Sequence, residues 1–247
     1  MASGSLIGTI RHKGFIPWDD DIDIYMIRPE YEKFIKLYQD TEQYACFSSE
    51  RGDALITWAR ICDMKKTTSW SNFPWIEKDT GVYISIFPID GSDSSYESLI
   101  HRFMRCNKLF DKNYMLRYLI RKNSTAINIW RNVEVILKRI RNGRSRKNII
   151  SQIKKNRDSH INLCKEIEYQ SSEFVADLSF ASKDFVPKCL WNKCDFENYT
   201  TADFENQKVM IIAGYDNNLR NVYGDYMELP PVEKRIPVHG HTVYFWK

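Results

Sequence analysis

No apolar run in the 247-residue chain approaches the roughly 20 residues that a membrane span requires, and no signal peptide opens it. The expectation is a protein that stays in the cytoplasm. The six cysteines, at positions 46, 62, 106, 164, 189 and 194, include no close CxxC pair, which fits reduced thiols better than a disulfide frame. Internal repeats and low-complexity linkers are absent as well, so nothing marks a solenoid or a string of modules. Acidic residues almost vanish from one long stretch. Between Arg102 and Arg157 only Asp111 and Glu134 stand against seventeen Lys or Arg, a net of +15 in a chain whose total is +4, which leaves about −11 elsewhere.

What is present reads as one globular α/β (α+β) domain over residues 1–247, with 100–170 as a basic helical insertion. Hydrophobic residues make up 43% and aromatics 14%, enough for a real core and against disorder. Within the insertion Trp130, Val133, Ile136, Leu137 and Ile140 recur at helical spacing beside Arg131, Lys138, Arg139 and Arg141. No nucleic-acid motif accompanies this charge, so the expected partner is an anionic membrane surface, met peripherally at its inner face.

The densest chemistry lies near the start, from Gly4 to Ile24. Asp19, Asp21 and Asp23 alternate among Trp18, Ile22 and Ile24, the period at which a strand sends side chains to one face. Three carboxylates so placed repel one another unless a hard cation lies between them, and Mg2+ (or Mn2+) on a substrate phosphate is the natural occupant, with Asp21 and Asp23 as ligands. The run imitates a calcium-binding EF-hand loop. That loop needs glycine at its sixth residue, where this chain has Ile24. Upstream, Gly4 and Ser5 read as a tight turn entering a short helix, and Arg11, His12 and Lys13 add cationic donors. These are the parts of a metal-assisted phosphoryl or nucleotidyl transfer site, with Asp19, Asp21 and Asp23 catalytic and Gly4, Ser5, Arg11, His12 and Lys13 facing the donor phosphate.

Gly4-Ser5-Leu6, Arg11-His12-Lys13-Gly14 and Phe15-Ile16-Pro17-Trp18-Asp19-Asp20-Asp21-Ile22-Asp23-Ile24 together resemble the signature of the LicD family, relatives of fukutin and fukutin-related protein. Tyr223-Gly224-Asp225-Tyr226-Met227-Glu228-Leu229-Pro230-Pro231, with Glu233-Lys234-Arg235 and His239, resembles the family's C-terminal signature. The resemblance implies a nucleotidyltransferase-like mixed sheet. It also implies transfer of phosphocholine, or another phospho-alditol, from a CDP-choline-like donor to a cell-surface glycan, free or lipid-linked, such as lipopolysaccharide or teichoic acid. Asp225, Arg235 and Asp90 are further candidates for the site. Two departures from the family stand out: the first core strand that precedes the Gly-Ser turn is expected to be missing, and Ser85 stands where relatives commonly have aspartate before Ile-Phe-Pro. They keep a rival reading open, a weak remnant that only binds donor or glycan, alongside transfer of a different phospho-group or a nucleotide.

The rest of the chain is expected to build the frame. Tyr31, Phe34, Ile35 and Tyr38 mark an amphipathic helix entered through Pro29. Residues 44–47 and 54–64 read as strands, 81–91 as a buried strand, and 215–226 as a helix before Pro230-Pro231. Trp58, Trp70, Phe73, Trp75 and Tyr83 are either core aromatics or a cage for a quaternary ammonium. His160-x3-Cys164 with Cys189-x4-Cys194 offers a loosely spaced zinc set.

Overall fold

A computed structural model describes the chain except residues 72–74, 77, 121–132, 134–136, 138–142, 144, 189 and 238–241. Its centre is β5 (Tyr83–Ser92), a ten-residue run rich in isoleucine with Ile86 and Ile89 fully buried. It pairs in parallel with β1 (Ile22–Ile27) through Ile84 to Ile89, and antiparallel with β3 (Ala59–Asp63) through Tyr83 to Ile86. Farther along, Asp90 to Ser92 pair antiparallel with β6 (Phe174–Ala176). Pro88, which has no N–H to give, falls between the two antiparallel partners. With β2 (Tyr44–Phe47) on β3 and β7 (Trp191–Asn192) on β6 the result is a six-stranded mixed sheet, as the nucleotidyltransferase expectation required. Two small antiparallel pairs flank it, β4 (Thr67–Ser71) with β10 (Thr242–Trp246) and β8 (Tyr199–Phe204) with β9 (Gln207–Ile212).

The chain opens with α1 (Ser3–Ile7), which runs on as a π-helical turn over Gly8–His12. Next comes α2 (Arg28–Leu37), entered through Pro29 and burying Tyr31 and Ile35 against Cys46, Ala59 and Ile86. Arg28 at its start grips both oxygens of Asp90 on β5, at 2.6 and 2.8 Å, and so fixes the helix to the sheet.

Two long helices come from the basic stretch, α3 (Tyr96–Leu119), capped by Ser95, and α4 (Arg146–Cys164), capped by Ser145. They are joined by buried amides, Asn113 to the Ile153 carbonyl and Asn156 to Asn113. Leu99, Phe103, Cys106 and Phe110 of α3 share a core with Trp58, Ala176 and Leu178. Each large side chain buried there contributes about 1.5–3 kcal/mol, so these helices are seated on the sheet rather than appended to it. The middle of the charged run, including Trp130, Lys138, Arg139, Arg141 and Arg144, lies outside the described residues. Short α5 (Cys194–Glu197) and α6 (Tyr215–Tyr223) complete the chain.

Several boundaries differ from the sequence reading, and Gly4 and Ser5, expected as a turn before a helix, lie within α1 itself. The acidic run becomes strand only at Ile22, and the strand expected from residue 54 begins at Ala59. Helix α6 stops at Tyr223, where Gly224 takes φ +71°.

Candidate active site

A turn at Pro17 and Trp18 is closed by the Asp19 N–H on the Ile16 carbonyl (2.8 Å), which sends the next residues back toward α1 instead of along an extended strand. Oxygens of Asp19, Asp20 and Asp21 consequently lie within 4.8 Å of one another. This corrects the picture of three carboxylates on one strand face. The tight group comes from the loop and includes Asp20, which alternation had passed over, while Asp23 follows as the second residue of β1. Helix α1 fixes this segment. The Ser5 hydroxyl accepts the Asp23 N–H (2.9 Å), and the Asp23 carbonyl accepts the Ala2 N–H (2.9 Å), so the first residues hold both main-chain groups of Asp23. At that residue the edge of β1 is thus covered by α1 and the residue before it. Gly4 leaves room for the Asp19 carboxylate: a Cβ there would stand 2.4 Å from Asp19 Oδ2 and push that side chain aside.

The charge balance is strongly negative. Burial pushes the Asp23 carboxyl up to about 8, with Asp21, Asp19 and Asp177 adding to the shift and Arg60 opposing it. Asp177, just past β6, is itself pushed up to about 6 by burial, although its Oδ1 accepts from the Ser179 N–H and hydroxyl at 2.9 and 2.7 Å. No sequence signal pointed to Asp177, which follows a strand of only three residues. The Tyr223 hydroxyl reaches Ser3 and is pushed up to about 12 by burial, with Asp23 and Asp19 nearby. A cluster of hard oxygen donors in which one carboxylate is too crowded to ionise at its ordinary pKa fits a divalent cation.

Of the predicted basic residues, His12 packs with Arg235 on Trp18, next to the cluster in sequence, Arg11 ties to the C-terminal block, and Lys13 lies beside Glu205 of the β8–β9 hairpin. Arg11 Nη1 donates to the carbonyls of Tyr226 and Glu228, the latter at 3.0 Å, so two blocks far apart in sequence are clipped together. His12 meets Trp18 edge-on at 6.3 Å, and the Arg235 guanidinium lies 5.6 Å over the same ring while its Nε donates to the Pro230 carbonyl. Burial lowers the pKa of Arg11, with Arg235 adding to it, and burial followed by Arg11 lowers that of His12, which leaves the imidazole neutral at pH 7. Lys13 is exposed, in the left-handed region at φ +59°. Ser5 is buried with its hydroxyl engaged on β1.

Several other candidates stand elsewhere. Asp90 is held bidentately by Arg28, and Asp225 is an exposed turn residue whose Oδ1 accepts the Met227 N–H (3.3 Å). Neither belongs to the acidic cluster, because each carboxylate already serves its own turn or helix. His239 is outside the described residues. The zinc set is also rearranged: His160 and Cys164 of α4 meet Cys106 of α3, all buried, whereas Cys194 is exposed and Cys189 lies outside the described residues. His160 Nε2 is 2.8 Å from the Leu178 carbonyl, the bond of a satisfied core histidine.

The aromatic stretch is occupied by the protein's own cations. Arg60 lies 3.7 Å over the Tyr83 ring and 5.3 Å over Trp75, and Arg117 lies 3.8 Å over Trp75. A quaternary ammonium would meet two guanidinium groups there, so these rings do not form the cage the composition allowed. Trp70 sits apart on β4, opposite Val243 of β10, and Phe73 falls outside the described residues.

Residues 1–115 match the family described as LicD/FKTN/FKRP, nucleotidyltransferase domain. The chain is 28% identical to lipopolysaccharide cholinephosphotransferase LicD of Haemophilus influenzae over a 259-residue alignment that covers 99% of this chain and 87% of that protein. No solved structure matches it significantly. Among the described residues no helix is long and apolar enough to cross a membrane. The acidic cluster, α1 and the strands that hold them all fall in the matched region, and the similarity to the Haemophilus protein extends over nearly the whole chain.

Proposed function

We propose that this protein is a LicD-like transferase that moves phosphocholine, or a related phospho-alcohol, from a CDP-activated donor to a glycan acceptor such as lipopolysaccharide. The observation that carries the reading is the gathering of Asp19, Asp20 and Asp21 within 4.8 Å, next to the crowded Asp23, with His12 and Arg235 packed on the adjoining Trp18. Asp21 and Asp23 would hold Mg2+ or Mn2+, with oxygens of Asp19 or Asp20 completing the set. The cation, when bound, neutralises charge on the donor pyrophosphate. Asp19, held over Gly4, takes the proton from the acceptor hydroxyl as its oxygen attacks the phosphorus bearing the alcohol. That phosphorus keeps the alcohol, its bond to the CMP oxygen breaks, and CMP leaves. Arg235 and the neutral His12, packed on Trp18, supply donors at the side where phosphate charge lies.

The test is CMP release from CDP-choline and other CDP-alcohols by purified protein with Mg2+ and a lipopolysaccharide acceptor. Asp21→Asn and Asp23→Asn are each expected to lower turnover by at least ~100-fold while the fold persists, because removing one of several repelling charges offsets lost contacts. Undiminished CMP release in either variant would overturn the assignment.

A further inference from the structure

Asp23, Ser85 and Arg60 form one row across β1, β5 and β3, each directly opposite the next. Residues paired in this way share a face, and neighbouring strands stand about 4.8 Å apart, so Asp23 and Arg60 flank Ser85 at roughly 10 Å from each other. Ser85 between them is buried and carries only a hydroxymethyl group, so the row sets a carboxylate and a guanidinium on either side of a small neutral side chain.

Arg60 is 7% exposed and Arg117 is 1% exposed. Among the described residues neither has a carboxylate in ion-pair contact, and the Nε of each is buried without an acceptor. Their guanidinium groups share the Trp75 ring, at 5.3 and 3.8 Å, and Arg60 also lies over Tyr83 and Trp58. Burial, with Arg60's charge adding to it, pulls Arg117 down to about 9. A desolvated cation–π contact returns less than burying an unpaired ion costs, so the aromatic rings do not compensate for two like charges placed side by side. An anion would.

We propose that Arg60 and Arg117 form an anion site, in which Arg60 holds a phosphate oxygen of a phosphoester or pyrophosphate ligand at the row it shares with Ser85 and Asp23, and Arg117 stands beside it as a positioning residue. Calling that ligand the CDP-activated donor rests on the transferase reading; the anion site itself does not.

The probe is inorganic pyrophosphate, titrated into the intact protein with a chelator present so that no divalent cation contributes, and followed by the fluorescence of tryptophans such as Trp58 and Trp75. Wild-type protein is expected to give a saturable change that weakens with salt. Arg60→Gln should raise the apparent Kd at least about ten-fold, Arg60→Lys by less, and Arg117→Met should weaken binding with the sheet intact by circular dichroism. If Arg60→Gln fails to fold, Arg60→Lys and Arg117→Met decide the matter. Absence of a saturable signal at millimolar pyrophosphate, or equal affinity in folded variants, would overturn the proposal. CMP release separates the two readings. Pyrophosphate binding that depends on Arg60 without any CMP release leaves the anion site standing and removes the transferase, and CMP release with no Arg60-dependent binding does the reverse.

Discussion

At Gly4 the deciding quantity is a distance, 2.4 Å between the position of a Cβ and Asp19 Oδ2. Alanine is the better helix former by about 1 kcal/mol, and the atom it would strike is the end of a side chain that can swing away. Gly4→Ala should therefore keep the melting temperature within a few degrees of wild type yet lower CMP release about ten-fold or more, since Asp19 leaves the cluster. Normal turnover would show that Asp19 does not act from where it sits. Asp177 supports a prediction of a different kind. Its folded pKa of about 6 lies above the ordinary carboxylate value, so its contribution to stability is complete below pH ~4 and is lost as pH rises through 6. An asparagine at this position would keep the acceptor used by Ser179 without taking a charge. Asp177→Asn is accordingly expected to match wild type near pH 4 and to exceed it above pH 6 by about 1–3 kcal/mol, toward the low end for a side chain only half buried. Denaturant midpoints from pH 4 to 8 test this, and an advantage that did not change with pH would refute it. Residues such as Asp19, Asp21 and Asp23 were legible because a motif carried them. Arg60 could be read only as a polar contact of open role, and Asp177 not at all, because only the pairing of β3 and β6 with β5 places them.

Among the elements, β5 and α2 were legible to within a few residues, since a long apolar run and a proline-led amphipathic pattern each have one good solution. Residues 54–58 were not. Leu55, Ile56 and Trp58 are buried, but the segment is tied by single bonds, Leu55 N–H to Trp75 and Thr57 to Ser179, rather than by a ladder. Apolar composition reports burial and is silent on which backbone partner satisfies the chain. The cysteine spacing failed for a similar reason, as Cys106 joins His160 and Cys164 only through the packing of α3 on α4. The π-helical turn after α1 has its own consequence, for it presents Arg11 to the carbonyls of Tyr226 and Glu228. Charge-assisted bonds of this kind are worth about 1.5–3 kcal/mol. Arg11→Met should cost the lower part of that range, because the side chain is partly exposed, and should make the 224–236 block the first site of limited proteolysis, with Arg11→Lys restoring part of the protection. Unchanged cleavage would mean that the C-terminal block is held by Arg235 and Tyr226 alone.

For the whole molecule the outstanding quantity is charge, +15 between Arg102 and Arg157 against about −11 elsewhere. Part of it is structural: Arg102 donates to the Gly91 carbonyl, Arg157 to that of Ala54, and Arg117 is buried with the aromatic rings. Others among the described residues reach the surface. Lys108, Lys112, Arg146, Lys147 and Lys155 are exposed, and exposed Met104, Met115, Val133 and Leu137 come from the same stretch. Arg146 and Lys147 also occupy the first turn of α4, where cations oppose the helix dipole, so their placement serves something other than that helix. Cations interleaved with exposed apolar side chains suit an anionic membrane interface, where each cation contributes about 1 kcal/mol, screened by salt. Six together exceed what reversible attachment requires. Neutralising Lys138, Arg139, Arg141, Arg144, Arg146 and Lys147 is therefore expected to weaken binding to anionic vesicles at low salt by at least ~100-fold and to slow transfer to a lipid-linked acceptor. CMP release in solution should be spared, because the six are far in sequence from the acidic cluster and the two described ones, Arg146 and Lys147, lie in the first turn of α4. Equal vesicle binding by the two proteins at low salt would show that the segment is a solvated face, and a parallel loss of CMP release would place it in the chemistry instead.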